Sequence, residues 1–99
     1  MKKIEALIRP EKLNKLTEKL KAMGLKELNT VEFASYNLEK DKRVVKTKIE
    51  FVINYSEADK FIDAIKNTVY TGESGDGKIF VSDVEVSVKI STGKEVKAL

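Results

Sequence analysis

Residues 71–81 read TGESGDGKIFV, and the fold turns on how this stretch is read. Ahead of it, Phe61, Ile62, Ile65 and Val69 recur at helical spacing. After it, Ile79 to Ser91 has the look of a strand, with Phe80 and the alternating Val84, Val86 and Val88. The stretch is therefore a helix-to-strand loop. Gly72, Gly75 and Gly77 allow positive φ and a close approach of backbone to a ligand. Successive backbone N–H groups in such a turn can form a concave anion site, and Lys78 adds a charge beside it. Gly72 to Lys78 matches the phosphate-loop pattern G-x-x-x-x-G-K. However, Ile79 stands where a Ser or Thr would hold Mg²⁺, and the helix precedes the loop instead of following it. The stretch fits phosphate binding without NTP hydrolysis, and it fits equally a plain turn that needs its glycines.

The rest of the chain falls into place around this loop. Lys2 to Arg9 alternates as a strand, with Ile4, Ala6 and Ile8 on one face and Lys3, Glu5 and Leu7 on the other. Pro10 suits a first helical position. Leu13, Leu16, Leu20 and Met23 form the stripe of a helix over residues 11–23, and Gly24 closes it. Strands are expected over residues 28–36 and 44–55, joined as a hairpin through a charged loop at 36–46. Ser56 and Asp59 suggest a capping box for the second helix. Residues 92–99 form a tail that turns at Gly93. The order β-α-β-β-α-β predicts an α+β, ferredoxin-like domain over residues 1–99, with a four-stranded antiparallel sheet and both helices on one face. Its crossovers should be right-handed. Leu7 and Val52 fall on the face that the helices leave bare, which points to self-association.

Composition narrows the chemistry. The 99 residues suit one domain. With 41% hydrophobic and 35% charged residues the chain is too apolar for disorder and too polar for a membrane protein. No signal-peptide pattern opens it, and a cytoplasmic location is the expectation. Absence of Cys and His removes thiolate chemistry, the commonest general base and the usual zinc ligand. The net charge of +3 is spread over interleaved signs, unlike the one-sided basic face of a nucleic-acid binder. The first strand has no aromatic residue and the last offers only Phe80, so RNA-type base stacking has no platform. Glu50, in mid-strand on the open face, either accepts a hydrogen bond from a ligand amine or pairs across strands. Lys46, Lys48, Lys78 and Lys89 either converge on a phosphate or are simply solvated.

MKKIEALIRPEKLNKL at 1–16, TGESGDGKIFVSDV at 71–84 and KISTGKE at 89–95 closely resemble the PII signal-transduction proteins (nitrogen regulatory protein P-II). The resemblance covers nearly all of the chain outside 36–46. It implies a ferredoxin-like homotrimer that binds ATP or ADP between subunits and regulates a transporter or a metabolic enzyme without catalysis of its own. A transporter target would bring indirect membrane association. By resemblance, Gly75, Asp76, Gly77 and Lys78 cradle the phosphates within a nucleotide-binding loop at 71–78 that includes Thr71 and Gly72. Lys46 also contacts phosphate. Glu50, Val52, Asn29 and Leu7 lie near the adenine. Lys89 and Ser91 match two basic positions, the second without its charge. The family's long loop between strands two and three is about a dozen residues shorter here, at 36–46, with Ser35 and Asn37 at glycine positions flanking Tyr36. Glu39 replaces a Gln that helps to hold Mg²⁺ and 2-oxoglutarate, and the tip has no Tyr to modify. The resemblance therefore implies adenylate sensing without uridylylation and with weak or no 2-oxoglutarate sensing, the occupant biasing the 36–46 loop. It does not decide whether Mg²⁺ is needed. The alternative is a degenerate trimer that binds its partner independently of nucleotide.

Overall fold

The computed structural model describes residues 1–97. Its core elements are β1 (Lys2–Ile8), α1 (Leu13–Ala22), β2 (Asn29–Asn37), β3 (Lys42–Ile53), α2 (Ala58–Val69) and β4 (Gly77–Asp83). The sheet order is β2-β3-β1-β4, antiparallel throughout. This is the expected ferredoxin-like α+β arrangement.

Alternation assigns the two faces. Ile4, Ala6 and Ile8 of β1 and Ile49, Phe51 and Ile53 of β3 are buried against Leu16 and Leu20 of α1 and Phe61, Ile65 and Val69 of α2. Phe51 and Phe61 meet edge to face with centroids 5.6 Å apart, a favoured aromatic geometry. Lys3, Glu5 and Leu7 point to the other face. The register sets Leu7 between Lys48 and Lys78, and Val52 opposite Lys3.

Local chemistry shapes the element ends. A 3₁₀ turn over Pro10–Lys12 precedes α1, so Pro10 enters ahead of the α-helix proper. Gly24 follows α1 with φ +96°, its N–H donating to Lys21 O, while Leu25 N–H reaches back to Leu20 O. That is the Schellman closure. The expected capping box does not form: Ser56 lies inside a 3₁₀ turn, Tyr55–Glu57, and α2 has no side-chain cap.

Two larger differences concern strand extents. The 36–46 segment, expected as a loop, is mostly strand. β2 and β3 stay paired out to Asn37↔Lys42, and only Leu38–Asp41 turns. The β1 ladder stops at Ile8↔Thr47. From Lys46 outward β2 and β3 therefore form a two-stranded ribbon that projects beyond the sheet by about 15 Å. Three features close its tip. Asp41 takes φ +50°, Asn37 Oδ1 accepts the Lys40 N–H at 3.0 Å, and the Tyr36 hydroxyl donates to Asp41 at 2.9 Å.

The expected strand over 79–91 breaks after Asp83. Asp83 pairs with Lys2, and β1 has no residue left to pair beyond it. Val84 N–H donates to Met1 O instead. Val86–Val88 (β5) then pairs with Glu95–Lys97 (β6) as a separate arm, turning through Gly93. Residues 98–99 of the expected tail lie outside the described residues.

Candidate functional site

The glycine loop is closed by one carboxylate. Asp76 accepts hydrogen bonds from the backbone N–H groups of Thr71 (2.8 Å) and Gly72 (3.0 Å) and from the Thr71 hydroxyl. Arg9 Nε donates to it at 3.4 Å, and Arg9 Nη2 donates to the Ser74 carbonyl at 2.9 Å. The Thr71 hydroxyl first, then the Thr71 and Gly72 amides and Arg9, hold the Asp76 carboxyl down at about 2. Donors aimed at a charged carboxylate favour that form, so Asp76 is ionised at neutral pH. Thr71, Gly72 and Asp76 thus spend these polar groups on the loop itself.

Gly77 begins β4 opposite Ile8, with φ +119°. A Cβ at this position would lie 1.7 Å from the Leu7 carbonyl oxygen. The loop can therefore meet β1 closely only through glycine.

On the open face a cleft of about 310 Å³ is bounded by Leu7, Ser35, Lys46, Gly75, Gly77, Lys78 and Phe80. A second cleft, of about 370 Å³, shares Ser35, Lys46 and Gly75 with the first and runs under the ribbon to Arg9, Asn37, Lys40 and Lys42. Alternation explains this lining, because Lys42, Val44 and Lys46 share a face of β3 with their partners Asn37, Ser35 and Phe33. Among the described residues, no acidic side chain lines either cleft. Among the described residues Lys40, Lys42, Lys46 and Lys78 have no ion-pair partner.

The other candidates lie elsewhere in the chain. Asn29, Glu50, Glu5 and Phe80 form one cross-strand row. Glu50 pairs with Lys3 (3.5 Å) and Lys48 (3.9 Å), and Lys3 also meets Glu5 (3.3 Å). The Lys3 pair is the cross-strand contact expected in one of the two readings of Glu50, and the Lys48 pair lies within β3. Hydrogen bonding from Lys3 to Glu5, and then the Glu50 charge, raise the Lys3 pKa. Val52 lies about 20 Å from Lys46 along β3. Tyr36 points to the opposite face from Ser35 and braces the ribbon tip. Lys89 and Ser91 lie at the turn of the β5–β6 arm, where Lys89 N–H donates to Lys94 O, and they line neither cleft.

Sequence reasoning missed Arg9, Lys40 and Lys42. Arg9 is one of only two arginines in the chain, but its partner Asp76 is 67 positions away. Only the β1–β4 pairing brings the two together. Lys40 and Lys42 sit in what reads as a solvated charge run until the ribbon register is known.

A family model described as nitrogen regulatory protein P-II matches residues 1–94. A protein of that name from Bradyrhizobium diazoefficiens is 38% identical over 106 positions, which span 95% of each chain. Nitrogen regulatory protein P-II 2 of Methanothermobacter thermautotrophicus is 37% identical over 109 positions, 98% of this chain and 95% of the relative. Among solved structures, Arabidopsis thaliana PII bound to citrate superposes with a TM-score of 0.86 at 30% identity, over 96% of this chain and 87% of that one. Ninety-five per cent of 99 residues is about 94, so about 12 of the 106 positions aligned with the Bradyrhizobium protein have no residue here.

Proposed function

The chain belongs to the nitrogen regulatory protein P-II family, and from that premise we propose that it binds ATP or ADP between copies of itself and regulates a partner protein by adenylate state. The observation that carries this reading is the acid-free trough beside the glycine loop. There Lys46 and Lys78 have no carboxylate partner among the described residues, and Asp76 already holds the loop in shape. A preorganised loop spends little ordering entropy on binding. In this reading the phosphates rest on Gly75, Gly77 and Lys78 with Lys46. The citrate of the Arabidopsis protein is itself a small polyanion, which accords with a basic trough suited to multiply charged ligands.

A homotrimer supplies what one chain lacks. Asn29, Glu50 and Val52 lie along the sheet from the trough, and Lys89 and Ser91 lie on the arm. A second copy against the open face would bring these residues to the first copy's glycine loop, with adenine near Leu7, Asn29, Glu50 and Val52. Asp76 and Thr71 then act by shaping the loop. The four-residue turn Leu38–Asp41 has no Tyr to modify, and Glu39 within it would repel a dicarboxylate. The function is accordingly adenylate reading without uridylylation or strong 2-oxoglutarate sensing, with a transporter or metabolic enzyme as target. No described helix is long and apolar enough to cross a membrane; a transporter target would bring indirect membrane association.

Calorimetric titration with ATP and ADP tests the reading. Binding is expected at or below millimolar ligand, weakened about tenfold or more by Lys78→Ala. No heat from either nucleotide at millimolar concentration would overturn it.

A further inference from the structure

We infer that the cavity under the C-terminal end of α2 is a separate ligand site, one that takes a small carboxylic acid with an aliphatic or aromatic body. It lies on the helix side of the sheet, behind the glycine loop, and does not depend on the nucleotide reading.

The cavity, of about 420 Å³, exists because α2 stops short. Val69 is the last helical residue, and Tyr70 turns extended with φ −64° and ψ 130°. Ile79, near the start of the edge strand β4, is therefore only partly buried, whereas its ladder partner Ala6 is fully so. Ile8, Ile62, Val69 and Ile79 form the apolar walls. Small-molecule sites hold roughly 300–1,000 Å³ and are mostly apolar, with a few polar groups that orient the ligand.

Those polar groups stand at the mouth. Lys66 and Tyr70 are both exposed and sit one helical turn apart, joined by the Tyr70 N–H donating to Lys66 O at 3.1 Å. The Tyr70 side chain leans on the glycine loop, its hydroxyl 3.2 Å from where a Cβ on Gly72 would sit. Lys66 has no ion-pair partner among the described residues. Lys78 also borders the cavity, but its ladder partner is Leu7, so its side chain belongs to the open face. Asp76 is the one acid in the described lining, and Thr71, Gly72 and Arg9 already hold its carboxylate. What remains is a single free ammonium beside an apolar chamber. A monoanionic head with an apolar tail satisfies both. A phosphate would find no second cation there, and a plain hydrocarbon would leave Lys66 unused. Placing the tail against the apolar walls removes water from them, which drives binding.

The test titrates octanoate, 1-octanol and octylammonium into the full chain to millimolar concentration, followed by amide NMR. Octanoate should shift the amides of Lys66, Tyr70, Gly77 and Ile79 in one saturable step. It should bind about fivefold more tightly than octanol, the upper range for an exposed ion pair, and octylammonium should bind least well. Lys66→Gln should bring octanoate to within about twofold of octanol and leave octanol itself unchanged. Ile62→Gln should weaken all three probes, because it makes one wall polar. Lys60→Gln, an exposed lysine of the same helix outside the cavity, should change nothing. Circular dichroism checks the fold of each variant. Absence of a saturable octanoate shift, as when a neighbouring copy covers the mouth, overturns the inference. So does an octanoate preference that survives Lys66→Gln, or a set of shifts centred on Val31 and Phe80 of the bare sheet. None of the probes carries a phosphate, so a failure here leaves the nucleotide reading to its own titration.

Discussion

Gly77 and Gly24 show how one residue type can carry two different burdens. Both take positive φ, +119° and +96°. Nothing lies within 4 Å of a Cβ built on Gly24, so Gly24→Ala should cost only the left-handed strain, about 1 kcal/mol. At Gly77 the same methyl would strike the Leu7 carbonyl. The first pair of the β1–β4 ladder must then shift, and Gly77→Ala should cost about 3 kcal/mol and move the glycine loop. Urea unfolding of the two variants checks the order, and equal costs would refute the close-approach argument. Asp76 gives a pH prediction at the same scale. Its folded carboxyl titrates at about 2, below the ordinary 3.8. A depressed acid contributes in full above its unfolded pKa and loses that contribution as pH falls through the folded value. Loop order should therefore hold from neutral pH to about 4 and fade towards 2. Amide exchange at Thr71 and Gly72 reads it, and Asp76→Asn should remove the dependence by weakening protection at every pH.

At the scale of elements, the ribbon past Lys46 depends on its own bonds, because a two-stranded hairpin without a packed face is marginal in water. Tyr36→Phe removes the hydroxyl bond to Asp41 and should fray the tip by about 1 kcal/mol. Faster exchange at Lys40 and Lys42 with an unchanged global midpoint would show it, whereas an unchanged tip would mean that the brace is idle. The core responds otherwise. Leu20 is fully buried between α1 and the sheet, so Leu20→Ala should cost about 2–5 kcal/mol globally. These elements also mark how far the sequence could be read. β1, β3 and both helices were legible because period and burial agree: Ile4, Ala6 and Ile8, or Leu16 and Leu20, are apolar where the core is. The break after Asp83 was not legible. Val84, Val86 and Val88 alternate whatever they pair with, and only the end of β1 at Lys2 shows that the sheet partner runs out. The ribbon was masked by its charges. LEKDKR reads as a loop, yet Asn37, Asp41 and Tyr36 confine the turn to four residues. At the site, the glycines and Lys78 announced the loop, but the loop-closing bonds that Asp76 accepts from Thr71, Gly72 and the distant Arg9 depend on how the loop folds and on the β1–β4 pairing, which residue types alone do not show.

The whole molecule is longer than its chain length requires. Its radius of gyration is 15.0 Å and its extents are 46 × 26 × 22 Å, where a compact chain of this size would have a radius near 13 Å. Among the described residues, neither the ribbon past Lys46 nor the β5–β6 arm has a strand partner outside itself, and the arm is apolar for its size. Val86, Val88 and Val96 are about half exposed, and Ile90 is almost wholly so. The bare sheet face carries Val31, Val52 and Phe80, exposed to a similar degree. Apolar surface of this kind on a small domain calls for a cover. In the proposed homotrimer other copies of the chain would supply it, and light scattering should then give three times the 11.2 kDa chain mass. Val86 and Val88 share one face of the arm and line neither cleft. Val86→Asp/Val88→Asp should accordingly yield a folded species at single-chain mass, and, on the proposal that Lys89, Asn29, Glu50 and Val52 complete a neighbour's site, with ATP affinity reduced about tenfold or more. A single-chain species that binds ATP as tightly as the unaltered protein would place the whole nucleotide site within one chain and end the intersubunit assignment.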